Sequence, residues 1–296
     1  MKIVTGTEVG NNVNKNNADH AILFEAINLV IHYKFKAFEM LRKDILVLLG
    51  RFISVSESNI RYLALDTMAR LSHNEVISSY LIQKHLNTIL YSLRDKDHSI
   101  RRRALDLIFV LCDQESATNV VNELLSYLDE NDYALKEELV LKIVILAEKF
   151  AMNLNWYVDV VIKLIELAGD HVSDEIRFRV TQILTGFGDA DANVELQKYA
   201  ALQIFNSVQK PAIHETMVKL AAYVIPEFGH HIADAPGKGY EDQYKVLRKH
   251  FPTANAKTKA MIMTGFTKLC KSEPSLSEKV APIMNNFSTY WDEDIQ

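Results

Sequence analysis

The chain has 296 residues, 48% hydrophobic and 24% charged, a balance that excludes a mostly disordered polypeptide and predicts a packed interior. Its net charge of -5 offers no sequence-independent attraction to phosphate backbones, which excludes nucleic acid as the principal partner. The two cysteines, Cys112 and Cys270, sit far apart in apolar helical patterns, as buried free thiols of a cytosolic protein would, and no apolar run approaches a membrane span.

Residues 1–17 are rich in asparagine (Asn11, Asn12, Asn14, Asn16, Asn17) and read as a flexible lead-in, with helical periodicity starting at Ala21. From 18 to 296, apolar-periodic stretches of about ten to eighteen residues alternate with short polar breaks. None of them alternates with period two, so the predicted fold class is all-α. Four of these stretches open alike, on a polar break followed by an aliphatic residue and a basic one: Ser58-Asn59-Ile60-Arg61, Asp97-His98-Ser99-Ile100-Arg101, Asp132-Tyr133-Ala134-Leu135-Lys136 and Asp174-Glu175-Ile176-Arg177. The lead aliphatics Ile60, Ile100, Leu135 and Ile176 are spaced 40, 35 and 41 residues apart. That is room for two helices per unit, the spacing of a HEAT or armadillo solenoid. The Asp or Ser at each break is expected to cap the helix amides.

Helix faces follow from the same periodicity. Ile100, Ala104, Leu107, Ile108 and Leu111 share one face, and so do Tyr157, Val160, Val161, Leu164, Ile165 and Ala168, with Asp159, Lys163 and Glu166 opposite. Leu139 to Ala147 is apolar nearly all round and is expected to be covered on most sides. Beyond 210 the array is expected to be less regular, because all six prolines lie there and Pro226 interrupts a helical run; the loop from Ala233 to Tyr240 is the best candidate for an internal boundary, within what is expected to be one continuous array.

No group of residues carries the chemistry of an enzyme. Gly237-Lys238-Gly239 lacks the Ser or Thr and the preceding strand of a phosphate loop and reads as a turn, while Gly186-Phe187-Gly188 follows a helix rather than a strand. His230 and His231 are adjacent, so their side chains diverge on a helix, and no further ligand recurs at metal spacing. Asp129-Glu130-Asn131-Asp132 occupies a repeat break, where such residues cap and solvate. The dense basic cluster Arg101-Arg102-Arg103, with Arg94 and Lys96, stands at a helix N-terminus, where cations are disfavoured. An internal ladder to Asp95, Asp97, Asp106 and the acidic break is the favoured reading, and an anionic lipid or partner site is the alternative. Catalytic, cofactor and metal residues are therefore expected to be none, and no residue is assigned to a partner.

The chain resembles the trunk of the adaptins, and within that family the alpha class of the plasma-membrane clathrin adaptor. The resemblance runs through Ala21-Ile22-Leu23-Phe24-Glu25-Ala26, Asn59-Ile60-Arg61-Tyr62-Leu63-Ala64-Leu65, Arg103-Ala104-Leu105-Asp106-Leu107, Leu146-Ala147-Glu148-Lys149-Phe150 and Ala168-Gly169-Asp170 to Pro211-Ala212-Ile213-His214-Glu215. Trp156-Tyr157-Val158-Asp159 with Val172-Ser173-Asp174-Glu175 points to alpha rather than gamma. Pro226 departs from the glycine usual in the family, and resemblance is weak beyond Tyr240. Asp294-Ile295-Gln296 looks like the opening of another repeat, so the sequence is expected to be a segment of a longer trunk, without counterparts of the family's lipid-binding residues, hinge or appendage. The resemblance implies a non-catalytic scaffold without cofactors. Its partners would be the small, medium and second large adaptor chains, with clathrin coat and cargo reached through the whole complex. Membrane contact would be peripheral and indirect, at plasma-membrane coated pits in clathrin-mediated endocytosis. A gamma-type adaptin of the trans-Golgi or endosomes is the alternative within the family, and a HEAT-repeat protein-binding scaffold outside coats is the alternative from another class.

Overall fold

In the computed structural model, residues 13–32, 39–72, 75–129, 135–186 and 193–287 are described, and every regular element among them is helical. Fourteen α-helices follow in order: α1 (Val13–His32), α2 (Glu39–Phe52), α3 (Ser58–Leu71), α4 (Glu75–Tyr91), α5 (His98–Leu111), α6 (Ala117–Asp129), α7 (Lys136–Phe150), α8 (Leu154–Ala168), α9 (Asp174–Thr185), α10 (Val194–Val208), α11 (Glu215–Phe228), α12 (Tyr240–His250), α13 (Ala256–Ser272) and α14 (Ser277–Phe287). Short 3-10 turns stand at Ser92–Arg94, Gly169–His171, Gly229–His231 and Pro274–Leu276. Residues 1–12 of the expected lead-in lie outside the described residues. The first helix begins at Val13, ahead of the Ala21 start that the periodicity suggests.

The chain forms two compact units, Met1–Tyr127 and Leu128–Gln296. In the first, α3 packs against α1, α2 and α5, and α4 against α5. In the second, α9 packs on α10, α10 on α11, α11 on α12 and α12 on α13, while α8 meets α10, α9 meets α11, α10 meets α12 and α11 meets α13. Contacts between chain neighbours and between helices two apart therefore recur along both units, the neighbour-to-neighbour pattern of a two-layered helical repeat. The loop at 233–240 lies inside the second unit and does not divide it.

The repeat openings do the packing that their sequence demands. Ile60, Ile100, Leu135 and Ile176 are all buried, at 6%, 0%, 1% and 7% exposure. Asp97 caps α5 through the Ser99 amide, and Ser173 caps α9 through the Ile176 amide. Ser58 departs from the expectation. It is the first residue of α3, and its hydroxyl accepts from Arg61 Nη2 instead of capping. Asp132 lies outside the described residues.

Two expectations are corrected. In α7, Leu141 and Ile145 are 51% and 40% exposed, because they share the solvent stripe of Glu137 and Lys149 at i, i+4 spacing, so that helix is not covered all round. Cys112 is buried, but Cys270 is partly exposed; neither is in a disulfide.

Pro226 does not end its helix. It lies inside α11, which runs on to Phe228. Proline removes the amide that would bond the Ala222 carbonyl, and the opposing α13 approaches there through Gly265. A methyl built on Gly265 would come within 2.8 Å of Pro226 Cγ and 3.1 Å of the Ala222 oxygen. Gly265→Ala gains about 1 kcal/mol of helix propensity, but a rigid ring and a backbone oxygen cannot yield, and overpacking costs about 1–3 kcal/mol. The expected outcome is net destabilisation by about 1 kcal/mol in urea denaturation, relieved when Pro226→Gly is added. A more stable Gly265→Ala protein would show that the two helices separate freely.

Candidate functional site

The basic triplet opens α5, and the fold uses it. Arg101 Nη1 donates to the carbonyls of Asp95 and Lys96, at 2.9 and 3.1 Å. Arg61, at the same place in the preceding opening, donates through Nη1 to the carbonyls of Val55 and Ser56. In both cases the arginine reaches back five and six residues to hold the loop that leads into its own helix. This explains a cation at a helix start: oriented carbonyl dipoles offset its unfavourable interaction with the helix dipole. Arg61 also grips both oxygens of Asp95, at 2.9 and 3.1 Å, so α3 and the loop before α5 are tied together.

Arg103 turns toward α3. Its Nε donates to the Tyr62 hydroxyl at 3.0 Å, its guanidinium stands 5.3 Å from the Tyr62 ring centre, and Asp66 and Asp106 lie 3.5 and 3.7 Å away. The Tyr62 hydrogen bond above all, with Asp66, holds its pKa above the ordinary arginine value. Arg102 stays exposed on a cleft of about 610 Å³ between the first turns of α3 and α5, lined also by Ser58, Asn59, His98 and Asp106. Carboxylates and guanidinium groups share this lining, so the cleft is mixed rather than uniformly basic. Of the internal ladder expected from sequence, Asp106 pairs with Arg103, and Asp66 is a member that the spacing did not reveal; the Asp95 carboxylate is held by Arg61 of the preceding opening, Asp97 serves as the α5 cap, and residues 130–132 lie outside the described residues.

Comparable polar rungs join helices two apart in the second unit. Glu148 of α7 accepts from Arg179 of α9, Asp159 of α8 from Tyr199 of α10, Glu227 of α11 from Lys268 of α13, and Glu241 of α12 from Lys279 of α14. Their partners lie 31 to 41 residues apart, so the sequence period returns as a period of contacts. The Lys279 hydrogen bond lowers the Glu241 pKa from its ordinary value, as the Lys257 hydrogen bond does for Asp174. Both carboxylates therefore stabilise the fold above their unfolded pKa and lose that contribution as pH falls through the folded one. These rungs are solvent-screened, and they set register more than stability.

The remaining candidates stand at turns and helix ends. Gly237, at φ +74°, makes the turn before α12. Gly186, at φ +75°, ends α9, while 187 and 188 lie outside the described residues. The His230–His231 pair occupies a 3-10 turn, with His230 Nδ1 at 3.1 Å from the Glu227 carbonyl and His231 Nε2 at 3.4 Å from Gln197 Oε1. Burial first, then His230, lowers the His231 pKa. Among the described residues no group of three or more His, Cys, Asp or Glu side chains could hold a metal ion. No helix among them is long and apolar enough to cross a membrane.

Two buried glutamines were not anticipated. Gln197 of α10 donates to the Leu184 carbonyl at the end of α9, and Gln243 of α12 donates to the Gly229 carbonyl at the end of α11. Each closes the last turn of the preceding helix from the next one. The available signal was a polar residue on an apolar stripe: Gln197 beside Leu196, Ala200, Ala201 and Ile204, and Gln243 beside Tyr244, Leu247 and Phe251.

Comparison with known proteins places this geometry in a family. Residues 7–296 match the family described as adaptin N terminal region. The chain is 45% identical over 284 residues to AP-2 complex subunit alpha-2 of Dictyostelium discoideum, covering 96% of this chain and 28% of that protein. It is 44% identical over 300 residues to AP-2 complex subunit alpha-2 of Arabidopsis thaliana, covering 100% and 29%. Against AP-1 complex subunit gamma-1 of Arabidopsis thaliana the identity is 30% over 281 residues, covering 90% and 31%. The chain spans less than a third of the length of each, and it is closer to the two alpha subunits than to the gamma subunit, as Trp156–Asp159 and Val172–Glu175 imply.

Proposed function

Because the chain belongs to the adaptin family, we propose that it serves as a scaffold segment of an alpha-type large subunit in a clathrin adaptor complex acting in endocytosis. The observation that carries this reading is the match of nearly the whole chain to the adaptin N-terminal region, with alpha subunits as the most similar relatives described above. The structural features are compatible with it. The polar groups that stand out are committed to helix ends and to rungs between repeats, which is how a protein that acts through shape uses them. The partners are the small, medium and second large chains of the same complex. Coat, cargo and the plasma membrane at coated pits are reached through the assembly, and this segment catalyses nothing.

Coexpression with the cognate small, medium and partner large chains tests the reading. The segment should copurify with them, more weakly than a full-length alpha trunk prepared in parallel. Vesicles carrying phosphoinositide should retain little of the isolated segment, since its net charge is -5. If the full-length trunk assembles and the segment recovers none of the three chains, the scaffold role belongs elsewhere in the subunit. Retention on the vesicles that is abolished by Arg101→Ala with Arg102→Ala and Arg103→Ala would move the function to the basic cluster.

A further inference from the structure

Helix α11 starts on a histidine, where helix starts favour Ser, Thr, Asp or Asn. The Thr216 amide donates to His214 Nδ1 at 3.1 Å, so that nitrogen is an unprotonated acceptor. The single N–H of the neutral ring is then on Nε2, which lies 2.7 Å from Asp170 Oδ1 and donates to it. The ring is held in place from behind. It lies against Gly169, where a methyl would come within 2.2 Å of His214 Cγ, and the Thr216 hydroxyl donates to the Gly169 carbonyl at 3.1 Å.

We propose that His214 is a proton-sensitive cap on α11, in which a second proton on the ring releases the Thr216 amide and loosens the first turn of that helix. With Nε2–H already committed to Asp170, the incoming proton has only Nδ1 to occupy. There it turns the acceptor of the Thr216 amide into a donor facing that amide, and the cap is lost. The charged and titratable groups around the ring are Asp170 and His171 on the turn, Glu166 on α8, Lys210 after α10, and Glu215 and Lys219 on α11. Asp170, the one bonded to the ring, has its pKa lowered first by that hydrogen bond and favours the charged imidazolium, so protonation and capping oppose each other at one residue.

The effect does not stop at one amide. The next residue, Glu215, accepts from the Asn255 amide at 2.9 Å and from the Thr258 hydroxyl at 2.7 Å, and Asn255 in turn caps α13 through the Thr258 amide. Loosening the first turn of α11 therefore reaches the first turn of α13.

Nitrogen-15 NMR of the 296-residue chain tests the proposal. At neutral pH the His214 ring should be the Nε2–H tautomer; an Nδ1–H tautomer overturns the proposal without need of any variant. Loss of a helix cap corresponds to about fivefold in amide protection. Between neutral pH and about pH 5.5, the range over which imidazoles in general gain a proton, the Thr216 amide, corrected for intrinsic exchange, should lose protection by that factor, with a smaller loss at Thr258. His214→Asn keeps a capping acceptor that does not titrate, and its protection should stay constant across the same range. Constant protection in the parent, or an equal loss in His214→Asn, overturns the proposal.

Discussion

Ile100→Asp is expected to destabilise the fold by about 4 kcal/mol or more, enough to unfold much of the first unit at physiological temperature. Ile100 is fully buried, and Ala104, Leu107, Ile108 and Leu111 on the same face of α5 are all within 1% of complete burial. A carboxylate there would have to ionise in an apolar environment or remain protonated without a satisfying partner. Arg101, next in sequence, does not offer rescue, because its guanidinium is turned back onto the Asp95 and Lys96 carbonyls. Ile100→Val, which deletes one methylene and keeps the chemistry, should cost only about 1 kcal/mol. The pair is read by urea denaturation, comparing midpoints at equal slope. A loss below about 1 kcal/mol for the aspartate variant would mean that the face of α5 is turned away from the core.

Much of this architecture was legible because the repeat writes its packing into local sequence. The aliphatic residue two or three places into each opening predicted Ile60, Ile100, Leu135 and Ile176 as core, and the structure buries all four. The face of α8 was equally readable, since Tyr157, Val160, Val161, Leu164, Ile165 and Ala168 are buried while Asp159, Lys163 and Glu166 are exposed. What could not be read was contact at a distance of one repeat. Nothing in the neighbourhood of Arg103 announces Tyr62 and Asp66, because those side chains meet it only after α3 and α5 pack. Pro226 misled for a related reason. Its local effect is to remove an amide, but a glycine on α13 lets the neighbouring helix close over the site, and the helix persists. The apolar run of α7 misled in the opposite sense, since composition counts leucine and isoleucine as interior while two-layer stacking leaves one stripe of each helix outward.

Gln243→Leu is the second substitution expected to have a large effect, of about 2–4 kcal/mol. Its amide nitrogen donates at 2.9 Å to the Gly229 carbonyl and at 2.9 Å to the Lys238 carbonyl, joining the end of α11 to the turn that precedes α12. The side chain is fully buried, and it lies so close to Gly229 that a methyl there would come within 2.2 Å of its Oε1. Leucine has nearly the same volume, so little cavity forms and the cost isolates the lost hydrogen bonds. One acceptor is fully buried and the other partly so. Each stranded carbonyl is worth about 1–3 kcal/mol, and removal of the polar side chain from the interior returns part of this. Gln197→Leu, which strands the Leu184 carbonyl and removes a contact with His231, should cost less than Gln243→Leu in the same assay. Gln243→Glu separates donation from packing: its carboxylate cannot donate to either carbonyl when ionised, and it adds a buried charge, so it should be worse than leucine at neutral pH and improve on mild acidification. Equal midpoints for Gln243→Leu and the parent would show that the two carbonyls find other donors, and that α11 is closed from within its own chain segment rather than by α12.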